Sequence, residues 1–306
     1  MKKQILYLPE IIADIKSKKE LHALDDDFIE KKVEQFFHNI SNHQYKEKIL
    51  QKLSTVKTYK QFMKSNERDF LIKGVRTELR KVYGAFILEE YEKKQKILAR
   101  MQNENDESIH EELLHLHKST HERFTHYMQL YSTIFGAIAT FRDAEKLPLQ
   151  KQFIILDLAC GLNPISNIYF RDKIKKYYAS DISSEDCEFL ETYFKKTSVP
   201  HETFALDLVD KKSHERLSKI PVDICFIFKT LDGLERVERN ITEHLLISIH
   251  TKFFAITFPT LSIGGLRKID VKRRVWLERL FDKLRWPYEK HEIENELLYV
   301  VKKTTE

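Results

Sequence analysis

Phe153-Ile154-Ile155-Leu156-Asp157-Leu158-Ala159-Cys160-Gly161-Leu162-Asn163-Pro164 is the stretch that decides the fold. Five apolar residues and one Asp make a short run suited to a buried strand. Gly161 follows and has no Cβ, so the backbone there can approach a ligand closely. Pro164 fits the first position of a helix, where its missing N–H costs nothing. Strand, tight turn and helix in this order mark where an α/β protein places a nucleoside ligand.

Downstream of this stretch a βα alternation continues. Strands are predicted at 153–158, 177–181, 202–207, 222–228 and 253–258, with helices near 184–195 and 237–249. A basic helical segment near 271–284 precedes two last strands, 288–293 and 297–302. Five βα strands followed by a hairpin is the order of a Rossmann-like class I methyltransferase domain. The expected fold is therefore α/β, a mostly parallel seven-stranded sheet closed by a C-terminal antiparallel hairpin.

Upstream, residues 1–146 hold few Gly and Pro and read as all-helical. Phe28, Val33, Phe36 and Phe37 form an apolar face at helical spacing, and Asp25–Asp27 supply a negative helix start. One long amphipathic pattern is predicted over 67–101 and a second over 109–138. Gly74 and Gly84 argue against an unbroken first helix. The expected division is a helical domain over 1–146 and a methyltransferase domain over 147–306.

Between Lys46 and Lys81 there are eleven basic residues against four acidic ones, with aromatics interleaved. The excess reads either as a solvated helical face or as a surface for nucleic-acid phosphate, with Lys73, Arg76, Arg80 and Lys81 as contacts. The chain as a whole carries +5, so this local concentration matters more than the sum.

At 306 residues, 42% hydrophobic and 32% charged, the composition is that of a soluble globular chain. No apolar run approaches a membrane span. The N-terminus makes a poor signal peptide, because Pro9 and Glu10 interrupt its apolar run. Cys160, Cys187 and Cys225 lack metal-type spacing and read as buried thiols in a reducing cytoplasm. No metal site is expected.

Asp181 ends the second strand twenty positions after Gly161, where an acid can accept hydrogen bonds from both ribose hydroxyls. Asp207 ends the third and is a candidate for the adenine amino group. Asp157 can order the loop or meet a ligand ammonium. The single glycine in A-C-G-L-N-P gives no pyrophosphate-sized cradle, which favours S-adenosylmethionine (SAM) over a dinucleotide. No P-loop pattern occurs. After the fourth strand stands Phe228-Lys229-Thr230-Leu231, not the Asn/Asp-Pro-Pro-aromatic run usual for amino-group methylation. No Cys sits convincingly in a loop for carbon-5 chemistry. Guanine N7 needs neither device, since its in-plane lone pair requires only positioning and charge stabilisation.

With these residues in view the chain resembles the 16S rRNA guanine-N7 methyltransferases of the aminoglycoside-resistance type. His117-Lys118-Ser119-Thr120-His121-Glu122-Arg123 is similar to the family's H-x-S-T-x-E-R helix. Leu156–Pro164 is similar to its L-D-x-x-C-G-x-N-P loop. A third likeness joins Phe228–Leu231, Phe258–Gly265 and Asn295-Glu296-Leu297. The resemblance implies that His117 and Arg123 reach the methionine end of SAM, that Gly161 lines the cofactor, and that Asp181 and Asp207 take ribose and adenine. It implies Lys229 at the pocket mouth, on RNA phosphate, and Arg267, Lys268 and Arg273 near the target nucleotide. The implied partner is the small ribosomal subunit, and the protein is expected to act as a monomer without membrane contact. A SAM-dependent enzyme with another RNA, protein or small-molecule substrate is the alternative, as is a non-catalytic RNA-binding factor that retains SAM. The first hundred residues match the family poorly.

Overall fold

The computed structural model describes residues 5–39, 43–261, 267–270 and 274–304. The chain separates into two compact units, residues 1–85 and 86–306.

The first unit is built from helices α1 (Leu8–Lys16), α2 (Asp26–Asn39), α3 (His43–Thr55), α4 (Tyr59–Phe62) and α5 (Asn66–Val82). Ile11, Ile15, Ile29, Val33, Leu71, Val75 and Leu79 are buried at helical spacing. Gly74 lets α5 approach α2, since a Cβ there would overlap the Phe36 ring. Polar contacts also tie this core. Asp14 accepts from Arg68 Nε (2.8 Å) and Tyr59 Oη (2.9 Å), and Arg76 reaches the Asp14 backbone carbonyl and Ser17 Oγ.

The second unit holds α6 (Lys94–Ala99), α7 (Glu107–Leu114), α8 (Lys118–Arg123) and α9 (Tyr127–Ala144), then a seven-stranded sheet. Its strands are β1 (Phe153–Leu158), β2 (Ile174–Asp181), β3 (His201–Ala205), β4 (Val222–Phe228), β5 (Thr251–Pro259), β6 (Tyr288–Ile293) and β7 (Glu296–Lys302). The strand order is β3-β2-β1-β4-β5-β7-β6, with β7 antiparallel to both neighbours. Helices α10 (Ser184–Lys196), α11 (Lys211–Leu217), α12 (Leu231–Val237), α13 (Ile241–Ser248) and α14 (Val275–Leu284) connect them. One sheet face packs on Leu113, Tyr131, Ile134 and Phe189, the other on Leu217, Leu245, Leu277 and Phe281. The sheet is covered on both faces, as parallel strands require. The expected methyltransferase topology is present, down to the hairpin.

The compact units part at 85/86, whereas the sequence places its division at 146/147. Residues 86–144 look helical in sequence, but Leu113, Tyr131 and Ile134 share one core with Phe153 and Ile155. The predicted helix over 67–101 stops at Val82, and Gly84 lies in a 3-10 turn. The predicted helix over 109–138 breaks before α8. His117 is extended there, and Thr120 Oγ1 donates to the Leu114 and His117 carbonyls. The residues after Gly161 form 3-10 turns, Asn163–Tyr169, in place of an α-helix. Between α12 and α13 the chain turns at Asn240, where the Glu235 carboxylate accepts from the Asn240 and Thr242 N–H groups.

Candidate functional site

β1 and β4 are neighbours, and the chain leaves them in opposite directions across the sheet, to β2 on one side and β5 on the other. A crevice opens beyond the carboxyl ends of strands at such a switch point. Three residues at these ends have left-handed backbones: Ala159 (φ 49°) and Gly161 (φ 50°) after β1, and Lys229 (φ 56°) after β4. For Ala159 and Lys229 this costs about 1–2 kcal/mol each, and such strain gathers at functional sites. Gly161 is required twice over. Its φ favours glycine, and a Cβ would lie 3.0 Å from the His117 ring.

His117 therefore packs against the glycine loop. Phe86 stacks on its ring at 5.8 Å, and Ser119 Oγ bonds its Nδ1 at 2.9 Å. Burial pushes its pKa down to about 4, so the imidazole is neutral at physiological pH. The segment carrying Phe86 is anchored by Lys94, whose Nζ reaches Asp186 (2.6 Å) and Glu185 (2.9 Å) at the start of α10.

Asp181 stands at the tip of β2 with its carboxylate turned onto the loops. Oδ2 accepts from Gly161 N (2.8 Å), and Oδ1 from Ile182 N (2.8 Å) and Ser183 N (3.3 Å). Burial raises its pKa to about 6 against these three bonds. Asp157 accepts from Asn163 Nδ2 and Tyr177 Oη, both at 2.8 Å, so it orders the loop. Its buried Oδ1 has no partner among the described residues. Desolvation lifts Asp157 to about 7. Asp207 lies beyond the end of β3, and its carboxylate accepts from Val209 N at 3.0 Å.

Beside this loop sits a charge quartet, three of whose members are buried. Arg123 grips Glu296 at the head of β7 through Nε (2.9 Å) and Nη2 (3.1 Å), and donates to Asn163 Oδ1 at 3.0 Å. Lys229 Nζ lies 3.0 Å from both Glu296 Oε1 and Glu122 Oε2. Two assignments need correction here. Lys229 is only 5% exposed and is held between two carboxylates, so it is not placed for RNA phosphate. Arg123 is 3% exposed, and its guanidinium is occupied by Glu296 and Asn163. Through Asn163, which donates to Asp157 Oδ2 at 2.8 Å, it is connected to the Asp157 carboxylate. Glu122, Glu296, Asn163 and Tyr177 had no role assigned from sequence. A usable signal was Glu296 opening the otherwise apolar run Leu297–Val301.

The basic residues divide by exposure. Arg76 is buried against Asp14 and Ser17, which removes it from the phosphate-contacting set. Arg80 pairs with Glu20 at 2.6 Å. Lys81 is exposed beside Glu78, and Lys73 is 76% exposed. In the second unit Arg267 and Lys268 are exposed, and Arg274 pairs with Asp232 at 2.5 Å. Arg273 and the Ser262–Gly265 stretch lie outside the described residues. Among the described residues no helix is long and apolar enough to cross a membrane.

The family described as ribosomal RNA methyltransferase (FmrO) matches residues 61–300. The chain is similar to a 16S rRNA (guanine(1405)-N(7))-methyltransferase of Serratia marcescens, 31% identical over 236 residues covering 76% of this chain and 83% of that one. It is also similar to the enzyme of that name from Frankia casuarinae, 29% identical over 195 residues, but the match spans only 62% of that relative's length. Its fold matches a crystal structure of the 16S rRNA methyltransferase RmtF in complex with S-adenosyl-L-homocysteine. The TM-score is 0.69 at 23% identity, covering 99% of this chain and 100% of that chain. With the family matched over most of its length, the chain belongs to the ribosomal RNA methyltransferases of the FmrO family.

Proposed function

We propose that the protein transfers the methyl group of SAM to N7 of a guanine in 16S rRNA, at the position corresponding to that named for its relatives, and acts on the assembled small subunit. The observation that carries this is the loop after β1. A left-handed Gly161 closes against a neutral His117, and Asp181 and Asp157 stand at and beside adjacent strand ends. These residues fit SAM. The partnerless Asp157 Oδ1 suits a ligand ammonium, Asp181 suits the ribose, and Asp207 suits the adenine amino group. A neutral His117 adds no repulsion to a sulfonium. SAM supplies an electrophilic methyl group. The protein's task is to hold the base in line with it and to stabilise the charge the base acquires.

The target guanine must leave its stack to reach such a crevice. The exposed lysines of the first unit, Lys73 and Lys81 among them, serve as its phosphate contacts, as do the exposed Arg267 and Lys268, which follow the carboxyl end of β5. The protein works as a monomer in the cytoplasm. Its buried free cysteines suit that reducing compartment.

The test is transfer from labelled SAM to purified small subunits, large subunits, naked ribosomal RNA and protein, with the modified position mapped. Label on small subunits at one guanine N7, with raised aminoglycoside tolerance in cells expressing the enzyme, is expected. Label on protein or on large subunits alone overturns the substrate.

A further inference from the structure

We infer that Glu122 selects the target base, its carboxylate accepting from N1–H and the 2-amino group of the guanine whose N7 is methylated. This rests on the function proposed above and names the group that reads the base.

The quartet of Arg123, Lys229, Glu296 and Glu122 contains two cations and two carboxylates. Arg123, Lys229 and Glu296 are almost wholly buried, while Glu122 keeps 35% of its side chain exposed. The charge that this cluster presents outward is therefore a carboxylate. Its location follows from the fold. Lys229, which bonds Glu122 Oε2 at 3.0 Å, is the first residue after β4, beside the strand that carries the Gly161 loop. Glu122 immediately precedes Arg123, which reaches into that loop through Asn163. Lys229 is itself fixed by Glu296 and by its left-handed backbone. The Glu122 carboxylate is thus oriented in advance, and it has lone pairs beyond the one that Lys229 uses.

Base chemistry makes this selective. Guanine offers two adjacent N–H groups on its Watson–Crick edge, which a carboxylate accepts as a fork. Adenine presents an acceptor at N1 to the same oxygens, and an acceptor facing a carboxylate is repelled. The edge is free once the base leaves its stack. Selection also helps the reaction. The N7 lone pair forms the new N–C bond while the S–C bond breaks, so positive charge passes from sulfur to the purine and no proton moves. The purine N–H groups become more acidic as this happens. Their bonds to Glu122 strengthen towards the transition state, where binding lowers the barrier. The arrangement also removes the difficulty of a lysine facing a base that gains positive charge, because Glu122 stands at the exposed end.

The experiment reconstitutes small subunits with inosine, which lacks the 2-amino group, in place of the target guanine. It compares kcat/KM for the wild type, Glu122→Ala and Glu122→Gln. The wild type is expected to lose about tenfold on inosine, the size of one charge-assisted hydrogen bond. In Glu122→Ala the rate on guanine falls, and the inosine penalty shrinks to less than about twofold. Calorimetric SAM affinity reports whether the cofactor loop survives. If the Ala variant loses SAM, Glu122→Gln, whose carbonyl still accepts from Lys229, carries the comparison and should show a reduced penalty. An undiminished penalty in a SAM-binding variant, or none in the wild type, overturns the role of Glu122 alone. Failure of the wild type to label a guanine N7 in the small subunit overturns the parent reading as well.

Discussion

Replacing Glu296 with Gln tests whether the quartet holds the sheet and the cofactor loop together. Burial alone would raise the Glu296 pKa, but Arg123 and Lys229 outweigh it and keep the carboxyl below its ordinary range. A depressed folded-state pKa contributes stability above the unfolded value, and that contribution is lost as pH falls through the folded value. At neutral pH the full contribution is present, and Gln removes it. Lys229 then retains Glu122, whereas Arg123, 3% exposed, is left with Asn163. Breaking a buried pair on one side costs about 3–5 kcal/mol. Gln keeps one acceptor oxygen, so the lower figure applies. For a unit of this size about 3 kcal/mol lowers Tm by about 6–12 °C, read by thermal melts and urea titration at pH 7.5. Raised salt should not restore the loss, because a buried pair is poorly screened. Arg123→Met combined with Glu296→Leu should recover much of the stability, since apolar replacement of both partners is often close to neutral. A Tm within about 2 °C of wild type for Glu296→Gln, or a double variant worse than the sum of its singles, would refute the account of the quartet.

Three further outcomes follow from the same structure. Burial holds Asp157 at about 7, above its ordinary 3.8, so folding takes up a proton between those values and wild-type stability falls as pH rises from about 4 to about 7. Asp157→Asn cannot ionise. It should flatten that slope and stabilise the fold at pH 8 by at most about 4 kcal/mol, while weakening SAM binding; denaturation curves with an unchanged slope would refute this. Lys73→Glu should leave stability within about 0.5 kcal/mol and lower the salt slope of small-subunit binding by about 1 or more. Arg76→Ala should instead destabilise the first unit by about 2–3 kcal/mol, because it strips buried bonds to Asp14 and Ser17. Equal melting temperatures for the two variants would remove the distinction between a surface lysine and a buried arginine.

Much of the catalytic unit is visible in sequence because a strand buried on both faces must be continuously apolar. Phe153–Leu158 and Val222–Phe228 are predicted and observed with the same bounds; Tyr288–Ile293 also keeps its predicted bounds, though it is a mostly polar edge strand set by the hairpin. The positions of Gly161 and Asp181 follow from local order alone. Helix ends were less legible. The break at His117 depends on Thr120 bonding backward to two carbonyls, and the turn at Asn240 depends on one Glu235 carboxylate. Neither leaves a mark in hydrophobic spacing.

The sheet, its hairpin, the glycine loop and the acids that follow it can be read from local order along the chain, because burial and turn chemistry act between near neighbours. Which charges are free depends on contacts made across the fold. Arg76, Arg123 and Lys229 look in sequence like cations available to phosphate or cofactor, yet each is buried against acceptors brought from elsewhere in the fold. Glu296 lies 173 positions from Arg123, and Glu122 lies 107 from Lys229. Burying a charge is so costly without a partner that the pairing dictates the role of each residue, and pairs so distant along the chain exist only once the sheet has formed.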